Sequence, residues 1–144
     1  MCRAFGAGDF SRLVEEYSPQ HDFVLTPAIP EEGGQCPYHI NASDPKMHAE
    51  RACEYERITL CAMDGAGANV SAAFLQCMDR APLPLAYNNT WPRNCALGTV
   101  GGSAWQRAAA CFSGGRGDAL LAQARRATAL AASGIPSVQV NGTT

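Results

Sequence analysis

The residues of this chain with the widest choice of chemistry are its seven cysteines, Cys2, Cys36, Cys53, Cys61, Cys77, Cys95 and Cys111. A thiolate is both a nucleophile and a metal ligand, and two thiols oxidise to a bridge, so the load reads as disulfides, a zinc site or thiol–disulfide exchange. Three of them fall in the stretch from Cys36 to Cys61, together with His39, His48 and the prolines Pro37 and Pro45. Those prolines interrupt any long helix, so the stretch must take its shape from covalent or metal bonds. The set Cys36, His39, His48, Cys53 and Cys61 has the ligand types of a zinc site. Its spacing fits no regular Cys-x-x-Cys knuckle, and the expectation is disulfides, with no metal and no cofactor.

Six of the seven cysteines can pair. With Cys2 set aside, spacing alone leaves many connectivities open, and a preference for neighbours favours Cys36 with Cys53, Cys61 with Cys77 and Cys95 with Cys111. Four Asn-x-Ser/Thr sequons, at Asn41, Asn69, Asn88 and Asn141, carry no proline in the middle place. Each is a loose tripeptide, but with the cysteines they favour an oxidising, secretory route. No apolar run of signal length appears before Asp9, so a secretory body lacks a secretory start, and an N-terminal segment is expected to be missing. Ala119 to Ala132 is apolar but broken by Arg125 and Arg126, which makes it an amphipathic helix rather than a membrane span. A net charge of −2, with 17% charged residues and thinly spread Lys and Arg, argues against nucleic acid as a partner.

The elements that must position these groups fit one domain of 144 residues. Phe10, Leu13, Val14 and Tyr17 recur at helical spacing between Asp9, as N-cap, and Pro19. Asp22 to Ile29 reads as a short strand closed by Pro30 and the turn Glu31 to Gly34. Val70, Phe74, Cys77 and Met78 mark a second helix, and Trp105, Ala108 and Phe112 a third over 104–112. The prolines of Ala81 to Pro92 make the stretch ahead of that third helix a loop. Asp118 as N-cap, Leu121, Ala124 and Thr128 on one face, and Ser133-Gly134 as the stop define a fourth helix. Ile135 to Val140 alternates like a strand, followed by the hairpin dipeptide Asn141-Gly142. Arg116-Gly117-Asp118 spells an adhesion tripeptide, yet Asp118 has the local work of an N-cap; Trp91 and Trp105 read as packing residues.

Taken in order, these residues resemble the gamma-interferon-inducible lysosomal thiol reductase family. Cys2-Arg3-Ala4-Phe5 is similar to the end of that family's Cys-x-x-Cys site and the residues after it. Cys53-Glu-Tyr-Glu-Arg-Ile-Thr-Leu-Cys61 keeps the cysteine spacing of its Cys-x-x-Asn-x-x-x-x-Cys signature, with Cys36 as the cysteine that opens it. Phe74-Leu-Gln-Cys77-Met, the pair Cys95 and Cys111, and Ile135-Pro136 through Gly142 resemble the later parts of the family's chain. The sequence departs from the pattern at Glu56, where the signature has Asn, at Pro37-Tyr38-His39 in place of Gln-His-Gly, and in a longer interval from Cys36 to Cys53. The first active-site cysteine would lie three places before Cys2.

The resemblance implies an α/β, thioredoxin-like fold over 1–144 with a cysteine-rich helical insertion at about 33–115, lacking its first, central strand and its last hairpin strand. It implies a thiol reductase that opens disulfides of protein substrates in a lysosomal, endosomal or secreted setting. Cys2 would be the resolving thiol, and Pro136 the cis-proline facing the active-site cysteines. A lone Cys2 would make the chain a poor reductase by itself. The alternative is a secreted, disulfide-stapled binding module without chemistry of its own.

Overall fold

The computed structural model of the chain describes residues 9–17, 23–27, 54–80 and 90–130. Within them lie six helices: α1 Asp9–Tyr17, α2 Glu54–Met63, α3 Ala68–Asp79, α4 Thr90–Thr99, α5 Gly102–Ser113 and α6 Gly115–Leu130.

Helix α2 is the hub, and its C-terminal half, Ile58 to Met63, is apolar apart from Thr59. Glu56, Ile58, Thr59, Leu60, Cys61, Ala62 and Met63 are all buried, and consecutive apolar residues such as Leu60 to Met63 point to every side of a helix, which must then be covered on every side. It touches α3, α4, α5 and α6. Phe74 and Met78 of α3, Cys95 and Ala96 of α4 and Ala108 of α5 join Ile58, Cys61, Ala62 and Met63 in the main core. Leu60 packs separately with Leu121 and Ala124 of α6. Burying a side chain such as Phe74 or Met78, each almost wholly inaccessible, contributes about 1.5–3 kcal/mol. Helix α1 packs on α3 and buries Val14 completely.

The connection from α4 to α5 is a single sharp turn. The N–H groups of Val100 and Gly101 both donate to the Ala96 carbonyl, at 2.8 and 2.9 Å, and Gly101 takes φ 86°, a left-handed conformation that only glycine adopts without strain. Pro92 is accommodated as the third residue of α4, where the missing N–H has no intrahelical partner to lose.

The helices expected from Phe10–Tyr17, Val70–Met78 and 104–112 are present as α1, α3 and α5, with Asp9 in the first turn of α1. Three expectations are corrected. The loop assigned to Ala81–Pro92 ends at least by Thr90, where α4 starts, because proline is tolerated in a first turn. Helix α6 starts at Gly115, so Asp118 sits in its first turn rather than at its cap.

The third correction is to the fold class: the described residues contain helices and no strand, so they do not form an α/β, thioredoxin-like domain. Residues 23–27, despite their β-branched and aromatic content, have no regular secondary structure, and no neighbouring strand among the described residues joins them. A short β-prone run becomes a sheet only when a partner supplies the ladder. The core is instead closed helix on helix around α2. The second expected strand, Ile135 to Val140, lies outside the described residues.

Candidate functional site

Two bridges staple the helices. Cys61 of α2 is bonded to Cys111 of α5 and Cys77 of α3 to Cys95 of α4, with Cα–Cα distances of 5.7 and 5.6 Å, in the usual range for a bridge. The four cysteines are disulfide-bonded as expected, but not in the expected pairs. Cys61 with Cys77 and Cys95 with Cys111 were favoured by nearness in sequence, whereas α2 lies against α5 and α3 against α4, so packing brings the other thiols together. Cys61, one member of the zinc-type set, has its sulfur in a bridge. Its other members, Cys36, His39, His48 and Cys53, lie outside the described residues, as do Cys2, Pro136, Asn41, Asn88 and Asn141. Asn69 is exposed in the first turn of α3, while Ser71 of the same sequon is buried.

Trp91 and Trp105 pack against the core, as expected. The indole N–H of Trp91 donates to the Cys77 carbonyl at 3.1 Å, tying α4 to α3 beside their disulfide.

The tripeptide Arg116-Gly117-Asp118 is used internally. Arg57 of α2 places Nη1 at 2.8 Å from Asp118 Oδ1 and donates from Nη2 to the Gly114 carbonyl at 2.9 Å. Its guanidinium carbon lies 5.5 Å from the centre of the Phe112 ring, within cation–π range. Gly117 is buried under that side chain: a Cβ there would collide with Arg57 Nε and come within 2.9 Å of the Cys111 carbonyl oxygen. Arg116 forms a two-pronged pair with Asp64, Nε to Oδ2 at 2.8 Å and Nη2 to Oδ1 at 2.6 Å. Those hydrogen bonds hold the Asp64 carboxyl below the usual carboxylate range, against a smaller opposing effect of burial. Arg57 escaped sequence reasoning because its partners lie more than fifty residues away, and no local pattern marks such a residue.

A cavity of about 380 Å³ opens between residues Phe23 to Thr26, the C-terminal end of α2, the N-terminal end of α3 and one face of α6. Leu60, Met63, Leu120 and Ala124 supply apolar wall, Ser71 and Gln123 neutral polar groups. Asp64 and Arg116 are its charged members and neutralise each other. Among the described residues no cysteine lines it. Among the described residues no cluster of three or more His, Cys, Asp or Glu could hold a metal ion, and no helix is long and apolar enough to cross a membrane. No family model, curated protein or solved structure matches this chain.

Proposed function

We propose that this chain is a thiol–disulfide oxidoreductase of an oxidising, endolysosomal or secretory route, with Cys2 as the thiol that takes part in exchange. The observation that carries the reading is the cysteine count. Four of the seven cysteines are consumed pairwise by helix–helix bridges, and the remaining three, Cys2, Cys36 and Cys53, can form only one further bridge within the chain. One thiol is left over, and the resemblance at Cys2-Arg3-Ala4-Phe5 to the end of a Cys-x-x-Cys site assigns it to Cys2.

In the exchange, an attacking thiolate forms a bond to one sulfur of a substrate disulfide and the other substrate sulfur leaves as thiolate. A second thiolate then attacks the enzyme sulfur of that mixed disulfide, forming a bridge within the enzyme and releasing the substrate thiol. Cys2 takes the second, resolving role, and the attacking cysteine belongs three places before it in the motif. The bridges Cys61–Cys111 and Cys77–Cys95 serve the scaffold: Cys61 and Cys95 are nearly inaccessible, at 4% and 2% exposure.

The test is to alkylate the oxidised chain without reductant and map the label, then to assay insulin reduction by a chain extended with a Cys-x-x segment ahead of Cys2. Label on Cys2, and loss of turnover in Cys2→Ser, are expected. Label on Cys36 or Cys53 with Cys2 bridged, or full turnover in Cys2→Ser, overturns the assignment. The second reading, a disulfide-stapled binding module without catalysis, draws on the helical bundle itself, whose two bridges among the described residues need no reactive thiol. No turnover in either extended chain would favour it.

A further inference from the structure

The sequon Asn69-Val70-Ser71 lies at the start of α3, and the helix sets its two essential groups apart. Transfer of an N-linked glycan needs the Asn69 side-chain amide as acceptor and the Ser71 hydroxyl for recognition. Residues two apart in an α-helix are separated by about 200° around its axis and do not face each other. Asn69 accordingly is exposed, whereas Ser71 is only 4% exposed and belongs to the wall of the cavity between α2, α3 and α6. The Ser71 N–H donates to the Gly67 carbonyl at 2.9 Å, which closes the first turn of the helix. An enzyme that reached Asn69 on the folded chain would find the serine withdrawn into the protein.

We propose that Asn69 is a glycan acceptor on the unfolded chain alone, and that the docking of α3 closes the site. The Asn69 amide nitrogen bonds to the anomeric carbon of a lipid-pyrophosphate-linked oligosaccharide. The bond from that carbon to a pyrophosphate oxygen breaks, the lipid pyrophosphate leaves, and the amide gives one proton to a carboxylate of the transferase. The order of synthesis supplies the interval for this step. Cys95 and Cys111, which bridge α3 to α4 and α2 to α5, lie 26 and 42 residues beyond Asn69. At about 5–20 residues per second, Asn69 precedes the first of them by about 1–5 s and the second by about 2–8 s. A helix as short as α3, with 12 residues, is marginal in water by itself. The core that holds its Phe74 and Met78 is completed by Cys95, Ala96 and Ala108, all made later. Once the chain has folded, the exposed Asn69 carries a bulky, hydrophilic group at the surface with no packing to displace. The inference rests on the oxidising, secretory route proposed above and makes no use of Cys2.

The test compares the full chain in two states, oxidised and folded without glycan, and reduced and alkylated, with circular dichroism to verify that the second is unfolded. Each is incubated with purified oligosaccharyltransferase and lipid-linked oligosaccharide, and the glycan is located by glycosidase release and peptide mass spectrometry. Asn69 should be labelled on the unfolded chain and at least about tenfold less on the folded one, in keeping with the burial of Ser71. Ser71→Ala should abolish that label on the unfolded chain, where a folding defect has no bearing. Equal labelling of Asn69 in both states, no labelling in either, or full labelling of the Ser71→Ala chain overturns the proposal. Translated into microsomes behind a signal peptide, the chain should carry a glycan at Asn69, and dithiothreitol, which keeps the bridges open, should preserve or raise its occupancy. An empty Asn69 there, or an occupancy that falls with dithiothreitol, also overturns it. Cys2→Ser should leave all these results unchanged, so an inactive Cys2 in the exchange assay counts only against the oxidoreductase.

Discussion

Replacing Cys61 and Cys111 together by alanine opens the outer of two nested bridges, and its cost follows from chain entropy. Cys61 and Cys111 are 50 residues apart and Cys77 and Cys95 are 18 apart within that span. The inner bridge shortcuts its 18 residues, leaving about 32 in the outer loop, for which loop-closure entropy corresponds to about 4 kcal/mol; the inner loop corresponds to about 3 kcal/mol. Losing both should cost about 7 kcal/mol, most of the stability of an ordinary domain. The assay is urea unfolding of oxidised protein followed by circular dichroism at the helix band, comparing wild type, each double alanine variant and the quadruple variant. The outer variant is expected to lose more than the inner one, and both should show a steeper denaturant dependence because their unfolded chains expand further. A loss below about 1 kcal/mol for the outer variant, or a larger loss for the inner one with unchanged slopes, would refute the entropic reasoning.

Two further predictions concern the polar ties. Gly117→Ala should destabilise by about 1–3 kcal/mol, as overpacking does, because its Cβ meets Arg57 and the Cys111 carbonyl; Gly115→Ala, with open space around it, should be close to neutral in the same thermal melts. For Asp64, the hydrogen bonds from Arg116 depress the folded-state pKa, so the pair stabilises the fold above the unfolded carboxyl's pKa of about 4 and the contribution fades as pH falls through the lower folded value. Acid titrations of wild type and Asp64→Asn should therefore converge in stability toward about pH 2 and differ above about pH 4, by a modest amount because the pair is partly solvated. A gap that widens on acidification would contradict the sign.

Periodicity carried much of the helical structure. The spacing of Phe10 to Tyr17, of Val70 to Met78 and of Trp105 to Phe112 determined α1, α3 and α5, since a helix is a local object whose buried face repeats every three to four residues. Helix α4 was hidden because its first turn contains Pro92, and proline reads as a breaker until its position in the turn is known. The oxidising chemistry was legible too: the cysteine load announced disulfides, and two are present among the described residues.

Pairing was a different kind of question. Which thiol meets Cys61 depends on which helix lies against α2, and the answer, Cys111 fifty residues on, is written in the packing of buried faces rather than in spacing. The same holds for Arg57, whose guanidinium draws Gly114, Gly117 and Asp118 around it, and for Arg116 with Asp64. Phe23 to Thr26 show the limit most plainly. Their residue types predicted a strand, because β-branched and aromatic side chains favour one, but a strand exists only when another supplies its hydrogen bonds, and no described segment does. Local preference is a property of a few neighbouring residues, whereas a bridge, an ion pair or a sheet needs two distant segments to arrive at the same place, and only the tertiary structure decided where they met.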